Sequence, residues 1–359
     1  MIIIHRKNEN DKDVKKLNSR LPSAVLRYCQ EQAWTIHEVK QINGGFAASI
    51  YHMQLVDGNH TRDVIYKHFA KGREAEAFLL PALTPLIASI SPKIYALIHD
   101  EQHADKTIGV LMDDLGDSLK SKLHTLPLAQ QKALLRQAML FLADFSHASI
   151  PLLSTLQQNG VPDGYAFASS SAWCMLSLEN CRTFLNDNQT MALHRDQVEA
   201  LCAFYPTFEK NYPTWLTGTQ VLTHGDPHLD NWFYQDHKFY LIDWEAASIT
   251  TSSRDLAIVL QDLLDPTLFK IAFTTYQKRW KELGHDTESD EYRLAFVASF
   301  FDNTLMMLGW EIQKYWDHHL TRDTIVKLFT TKLNWLTTCQ AILQNFAYNE
   351  SIDITVFFA

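Results

Sequence analysis

The chain has 359 residues, 46% hydrophobic and 20% charged, with only 12 glycines and 11 prolines, which excludes a disordered or collagen-like protein and leads us to expect two lobes. A net charge of -9 argues against a partner held by a broadly basic surface, so no nucleic-acid partner is expected. Five scattered cysteines (Cys29, Cys174, Cys181, Cys202, Cys339) form no CxxC pair and read as reduced thiols; the N-terminus turns charged too soon for a signal peptide, and no run of about 18 apolar residues follows, so a cytoplasmic protein without a membrane segment is expected.

Helical spacing of Val14, Leu17, Leu21, Val25 and Tyr28 predicts a helix over about 12–33. Three strands follow, at 35–42, 49–56 and 62–69, with Asp57-Gly58-Asn59 as the hairpin turn between the second and third. A helix over about 71–80, which Pro81 and Pro85 would interrupt or end, leads to two more strands at 93–99 and 107–112. Beyond Asp113-Asp114-Leu115-Gly116 the pattern becomes long amphipathic helices, first between Pro127 and Pro151, then around 254–264, 266–282, 290–317 and 322–346. The one strand-like interruption is 221–243. There Val221-Leu222 runs into His224-Gly225-Asp226-Pro227-His228-Leu229-Asp230-Asn231, and Phe239-Tyr240-Leu241-Ile242 runs into Asp243.

Asp226 and Asn231 lie five residues apart in a loop after an apolar strand, a spacing that lets one face a substrate hydroxyl while the other reaches a metal. Asp243 ends the next apolar strand, so its carboxylate can return to the same place and pair with Asn231 as an oxygen ligand set for magnesium. His224 and His228, four apart beside aspartates, are not read as metal ligands: His224 is read as holding the loop backbone by hydrogen bonds, and His228 and Asp230 as loop residues near the acceptor. Trp244 is read as packing.

The run His224-Gly225-Asp226, Asn231, Ile242-Asp243-Trp244-Glu245 and Arg254-Asp255-Leu256-Ala257 closely resembles the catalytic core of the aminoglycoside phosphotransferase and choline kinase family. The resemblance is dense over 221–257 and extends more thinly, in order, over about 40–345. It implies an α+β, bilobal protein-kinase-like fold: a small N-lobe (1–114) with an antiparallel five-stranded sheet plus helix, and a larger, mainly helical C-lobe (115–359). It also implies ATP-dependent phosphorylation of a small hydroxylated compound, with Asp226 as catalytic base, Asn231 and Asp243 as Mg2+ ligands, and His224 and Asp255 supporting the catalytic loop. GTP is left open as the nucleotide, and so is the oligomeric state.

The remaining nucleotide-binding parts follow at lower specificity. Gly44, Gly45 and Ser49 would let backbone amides approach phosphate, although a full GxGxxG is absent. Lys67, with Ile65 and Phe69 on its own face of the third strand, would reach the phosphates, paired to an acid on the next helix. Glu74 and Glu76 are both available, and Glu76 is preferred because Leu79, Leu80 and Leu83 follow it at three, four and seven residues. Backbone groups near Met112, Asp113 and Asp114 resemble the adenine-binding hinge. The pair Pro227-His228 departs from the Leu-His-Pro-Gly order frequent in the family, which leaves the roles of His228 and Asp230 open.

Only eleven residues separate Asp243 from Asp255 and no Ala-Pro-Glu follows, which leaves no room for a peptide-docking activation segment. The acceptor is therefore expected to be small. On the helix at 290–317, Asp302, Met306, Trp310 and Gln313 share a sector of about 80 degrees, with Glu311 opposite. Asp302 and Trp310 are the acceptor-pocket candidates, suited to a cationic amino alcohol or aminoglycoside. The competing readings are a catalytically inactive nucleotide-binding pseudokinase or regulatory module, and adenylylation on the same fold.

Overall fold

The computed structural model describes residues 21–42, 48–164, 167–346 and 352–358. The first helix, α1 (Ser23–Glu31), is the described part of the predicted N-terminal helix; Val14 and Leu17 lie outside the described residues. Strands β1 (Thr35–Ile42), β2 (Ala48–Asp57), β3 (His60–Phe69), β4 (Ile94–His99) and β5 (Thr107–Asp113) form one antiparallel sheet in the order β1-β2-β3-β5-β4. Alternation sets its faces. Tyr51, Met53 and Leu55 of β2, Val64 and Tyr66 of β3, Ile98 of β4 and Leu111 of β5 join Val25 and Cys29 of α1 in one buried cluster. Lys67 belongs to the opposite face, as its odd-numbered neighbours Ile65 and Phe69 require.

Helix α2 spans Ala75–Ile87 and runs through both Pro81 and Pro85, so the predicted break does not occur. Each proline removes an intrahelical donor, but both rings sit on the exposed side. Burial of Ala77, Leu79, Leu80, Ala82, Leu83 and Ile87 on the other side offsets the loss.

Contacts divide the chain into two compact units: residues up to 119 together with Asn231–Ala246, and Lys120–Asp230 together with residues from 247 onward. The first holds the sheet, α2 and the hairpin of β7 (Trp232–Gln235) and β8 (Lys238–Leu241). The second is mainly helical: α3 (Leu119–Thr125) reaches into it, followed by α4 (Leu128–Ser149), α5 (Leu153–Gln158), α6 (Phe167–Asp187) and α7 (Arg195–Trp215). The short pair β6 (Gln220–Thr223) and β9 (Ser248–Thr251) comes next, then α8 (Ser253–Gln261), α9 (Pro266–Glu282), α10 (Asp290–Trp316) and α11 (Arg322–Phe346).

The segment Leu128–Gln158 is apolar and long enough to cross a membrane by length and composition. In the fold its first part, α4, packs on α9 and buries Leu135, Ala138, Met139, Leu142 and Phe145. Helix α8 is buried along its whole length, and α10 packs on α6, α8 and α11. That makes α8 the rigid bar at the centre of the helical unit.

Candidate active site

Within the sheet-bearing unit, Lys67 is the focus. Its Nζ donates to Glu76 Oε2 at 2.6 Å and to Asp243 Oδ1 at 2.8 Å, with the lysine and Glu76 both buried. Burial pulls the ammonium toward neutrality, but the carboxylates of Glu76 and Asp243 outweigh it and hold the pKa above the ordinary lysine value. Burial raises the Glu76 carboxyl, the lysine opposes that shift, and the Asp243 charge adds to it. The other oxygen of Glu76 accepts the Trp244 backbone N–H at 3.1 Å, which ties α2 to the residue after Asp243. Glu74 is the residue before α2.

Close packing seats the lysine strand. Gly109 of β5 lies against β3, where a Cβ would come 2.5 Å from the Lys67 carbonyl oxygen and 2.6 Å from the Tyr66 ring, so only glycine fits.

The β7–β8 hairpin carries the two candidate metal ligands to its open end. Trp232 pairs with Leu241, and the Ile242 N–H donates to the Asn231 carbonyl at 3.2 Å, so Asn231 and Asp243 leave the hairpin side by side. Asp243 has φ 68, a left-handed conformation that aspartate tolerates better than most side chains and that aims its carboxylate at Lys67. An amide oxygen and a carboxylate form a hard donor set that suits magnesium. Trp244 is buried, and its indole N–H donates to the Leu241 carbonyl.

The other nucleotide-side candidates are placed as follows. Ser49, at the start of β2, pairs with His68 of β3. Met112 is buried in β5 opposite Ile65 and Ile94. The backbone N–H groups of Asp113 and Asp114 donate to the Lys93 and Asp63 carbonyls, and the Asp113 carboxylate accepts the Tyr95 hydroxyl. Gly44 and Gly45 lie outside the described residues.

In the helical unit, β6 delivers the loop that carries Asp226. Asp255, on the first turn of α8, accepts the N–H groups of His224 at 2.7 Å and Gly225 at 3.0 Å, one on each carboxylate oxygen. Gly225 takes φ 86, which glycine adopts without strain. Buried His224 accepts the Asp226 N–H through Nδ1 at 3.3 Å. The Asp226 carboxylate keeps substantial solvent exposure, with His228 Nε2 3.6 Å away. Burial pushes the Asp255 carboxyl up to about 6, partly countered by the two amides and by Arg254, with Asp226 adding to the rise.

Two loop contacts escape a motif-based reading of the sequence. The Leu229 N–H donates to Asp262 Oδ2 at 2.8 Å, and Lys120 Nζ lies 2.9 Å from Asp230 and 3.5 Å from Asp262. A signal for Asp262 was present in the spacing. Seven residues after Asp255 it falls within about 20 degrees of the same helix face.

Asp302 is fully buried in α10. Its Oδ2 accepts the Tyr212 hydroxyl at 3.2 Å and lies 3.4 Å from Arg254, while Cys174 approaches Oδ1 at 3.6 Å. Trp310 is half-buried, edge-on to the exposed Trp173 at 6.3 Å, with Lys314 over its ring at 5.9 Å. Glu311, on the other side of α10, pairs with buried Lys332 at 2.7 Å.

A model of the phosphotransferase enzyme family matches residues 38–293. No curated protein matches the chain in sequence. Among solved structures, a putative aminoglycoside phosphotransferase from Ralstonia eutropha JMP134 shares 15% identity, a TM-score of 0.57, and coverage of 90% of this chain and 98% of that one. A choline kinase from Streptococcus pneumoniae shares 13% identity at TM-score 0.53, covering 88% and 99%. The GDP complex of an aminoglycoside 2'-phosphotransferase shares 18% identity at TM-score 0.52, covering 88% and 95%. The sheet with its helix, the helical remainder and the family match across most of the chain agree, and this chain belongs to the phosphotransferase enzyme family, as a small-molecule kinase of bilobal protein-kinase-like fold.

Proposed function

We propose that the protein is a cytoplasmic kinase that transfers the γ-phosphoryl group of ATP to a hydroxyl of a small metabolite or antibiotic, of the amino alcohol, aminoglycoside or sugar type. The observation that carries this reading is the buried Lys67–Glu76 pair joined to Asp243, because one ammonium held charged between two carboxylates is the arrangement that phosphate positioning requires. Lys67 would bind the phosphates. Asn231 and Asp243 would hold Mg2+, which supplies neutralising charge on the phosphates when bound.

Asp226 would accept the proton of the acceptor hydroxyl as its oxygen bonds to the γ-phosphorus and the bond to the β–γ bridging oxygen breaks, releasing ADP. Its exposure suits that role, since a base must be open to its substrate. His224 and Asp255 hold the loop by accepting backbone amides, which fixes Asp226 before any substrate arrives. For the acceptor, Trp310 with Trp173 offers indole surface in the helical unit, whereas the Asp302 carboxylate is committed to Tyr212 and Arg254.

The test combines a substrate panel with one substitution. Purified protein with ATP, magnesium and a panel of amino alcohols, sugars and aminoglycosides should release ADP with at least one acceptor. Asp226→Ala should then abolish turnover while calorimetry still records nucleotide binding. Nucleotide binding without ADP release from any acceptor would favour the catalytically inactive regulatory module, and a product carrying a nucleotidyl group would identify adenylylation.

A further inference from the structure

We propose that Lys120, Asp230 and Asp262 form a clamp that positions the Asp226 loop for transfer, an inference that rests on the phosphotransfer reading above. The loop is pinned at two points by one helix. Asp255 at the start of α8 takes the His224 and Gly225 amides, and Asp262, directly after its end, takes the Leu229 amide at 2.8 Å. Asp226 and His228 hang between these points.

Because α8 is buried throughout, both aspartates ride on an element that cannot shift without disturbing the unit's core. The second pin has an electrostatic problem of its own. Asp262 carries the Leu229 amide, and the Asp230 and Asp262 carboxylates both lie within 3.5 Å of the single Lys120 ammonium. Without that cation they would repel, and Asp230 would draw the loop off α8. Burial would raise the Asp262 carboxyl, but Lys120 first, then His228, Lys332 and the Leu229 amide, outweigh it and hold it below the ordinary aspartate range.

The geometry also gives His228 a place. Its Nε2 lies 3.6 Å from Asp226 and its Nδ1 3.9 Å from Asp230, so the ring stands between the proposed base and the clamped residue. Displacing Asp230 removes one wall of the space that His228 and Asp226 occupy. Lys120 and Asp262 are therefore positioning residues: they act on the reaction through the loop, and the bond-making atoms are elsewhere.

The experiment compares Lys120→Met, Lys120→Arg and Asp262→Ala with the wild-type protein, in steady-state kinetics and in hydrogen exchange of the peptide that spans 225–230. Expected for Lys120→Met and Asp262→Ala is a fall in kcat of about 10- to 100-fold with KM for ATP within about twofold. Lys120→Arg should recover most of the loss, and the Leu229 amide should exchange faster by about tenfold in Asp262→Ala. A kcat unchanged in Lys120→Met, or losses in kcat and KM that track the fall in melting temperature and are not rescued by arginine, would overturn the clamp. A wild-type protein that turns over no acceptor would defeat the phosphotransfer reading separately. The clamp would then stand or fall on exchange alone, and an unchanged Leu229 amide in Asp262→Ala would overturn it.

Discussion

At the scale of single residues, Asp255 makes the sharpest claim. Its carboxylate is wholly buried, and burial pushes its pKa from 3.8 to about 6 although two backbone amides point at it. The sign differs for stability and for activity. A carboxyl whose folded pKa is raised binds its proton more tightly when folded, so its contribution to stability is fully present below about 3.8, is lost as pH rises towards about 6, and is level above that. Loop positioning needs the opposite state, since only the carboxylate can accept on both oxygens. Turnover should therefore fall on the acid side with an apparent pKa near 6, while this group's effect on stability improves over the same range. Asp255→Asn should remove that acid limb at a lower kcat. An unchanged acid limb in the variant would assign the titration to another group.

The residues that resemble known motifs were legible because each sits within a few positions of a recognisable neighbour along the chain. Lys120 was not, because its partners Asp230 and Asp262 lie more than a hundred residues away in sequence. Nothing local marks it: it sits on a short helix among other polar residues.

At the scale of elements, periodicity predicted β1 to β5 and helices α4, α9, α10 and α11 to within two residues, with β1 and α9 at their observed bounds, whereas α5, α6 and α7 were given no range. It failed where tertiary contact overrides local cost. Helix α2 passes two prolines because its opposite face is buried, a fact that a local rule for proline does not contain. Helical projection placed Asp302 and Trp310 together correctly as an angular matter, yet an angle does not tell whether a face meets solvent or another helix. In the structure Asp302 joins α10 to α8 through Arg254, next to Asp255, with Tyr212 of α7 bonded to both side chains. Removing one charge of a buried pair leaves the other uncompensated, at a cost of about 3–5 kcal/mol. Asp302→Asn should lower stability by that order in urea denaturation. A variant of unchanged stability that raises KM for an amine acceptor, and not for ATP, would instead make Asp302 a substrate contact.

At the scale of the whole molecule, the proposed chemistry ties ligand binding to stability. A magnesium nucleotide that binds only the folded chain stabilises it by about 2.7 kcal/mol at a hundredfold excess over its Kd. The melting temperature should rise by several degrees with ATP and magnesium together. Asp243→Asn keeps a side chain that accepts the left-handed backbone at φ 68 but discards the charge, so the magnesium-dependent part of the rise should vanish while the protein still folds. A full rise in the variant would remove Asp243 from the proposed metal site.

Order along the chain was enough to recognise the family from the segment His224–Asn231, Asp243 and Asp255, because strand and helix periods and short-range spacing are properties of the sequence itself. Leucine spacing along the helix already favoured Glu76 over Glu74 for Lys67, and the two meet. The tertiary structure alone added Asp243 to that pair and joined Lys120 with Asp230 and Asp262, and Arg254 with Asp302. Coulomb attraction and desolvation depend on distances of a few ångströms across the fold, and the sequence records only separation along the chain.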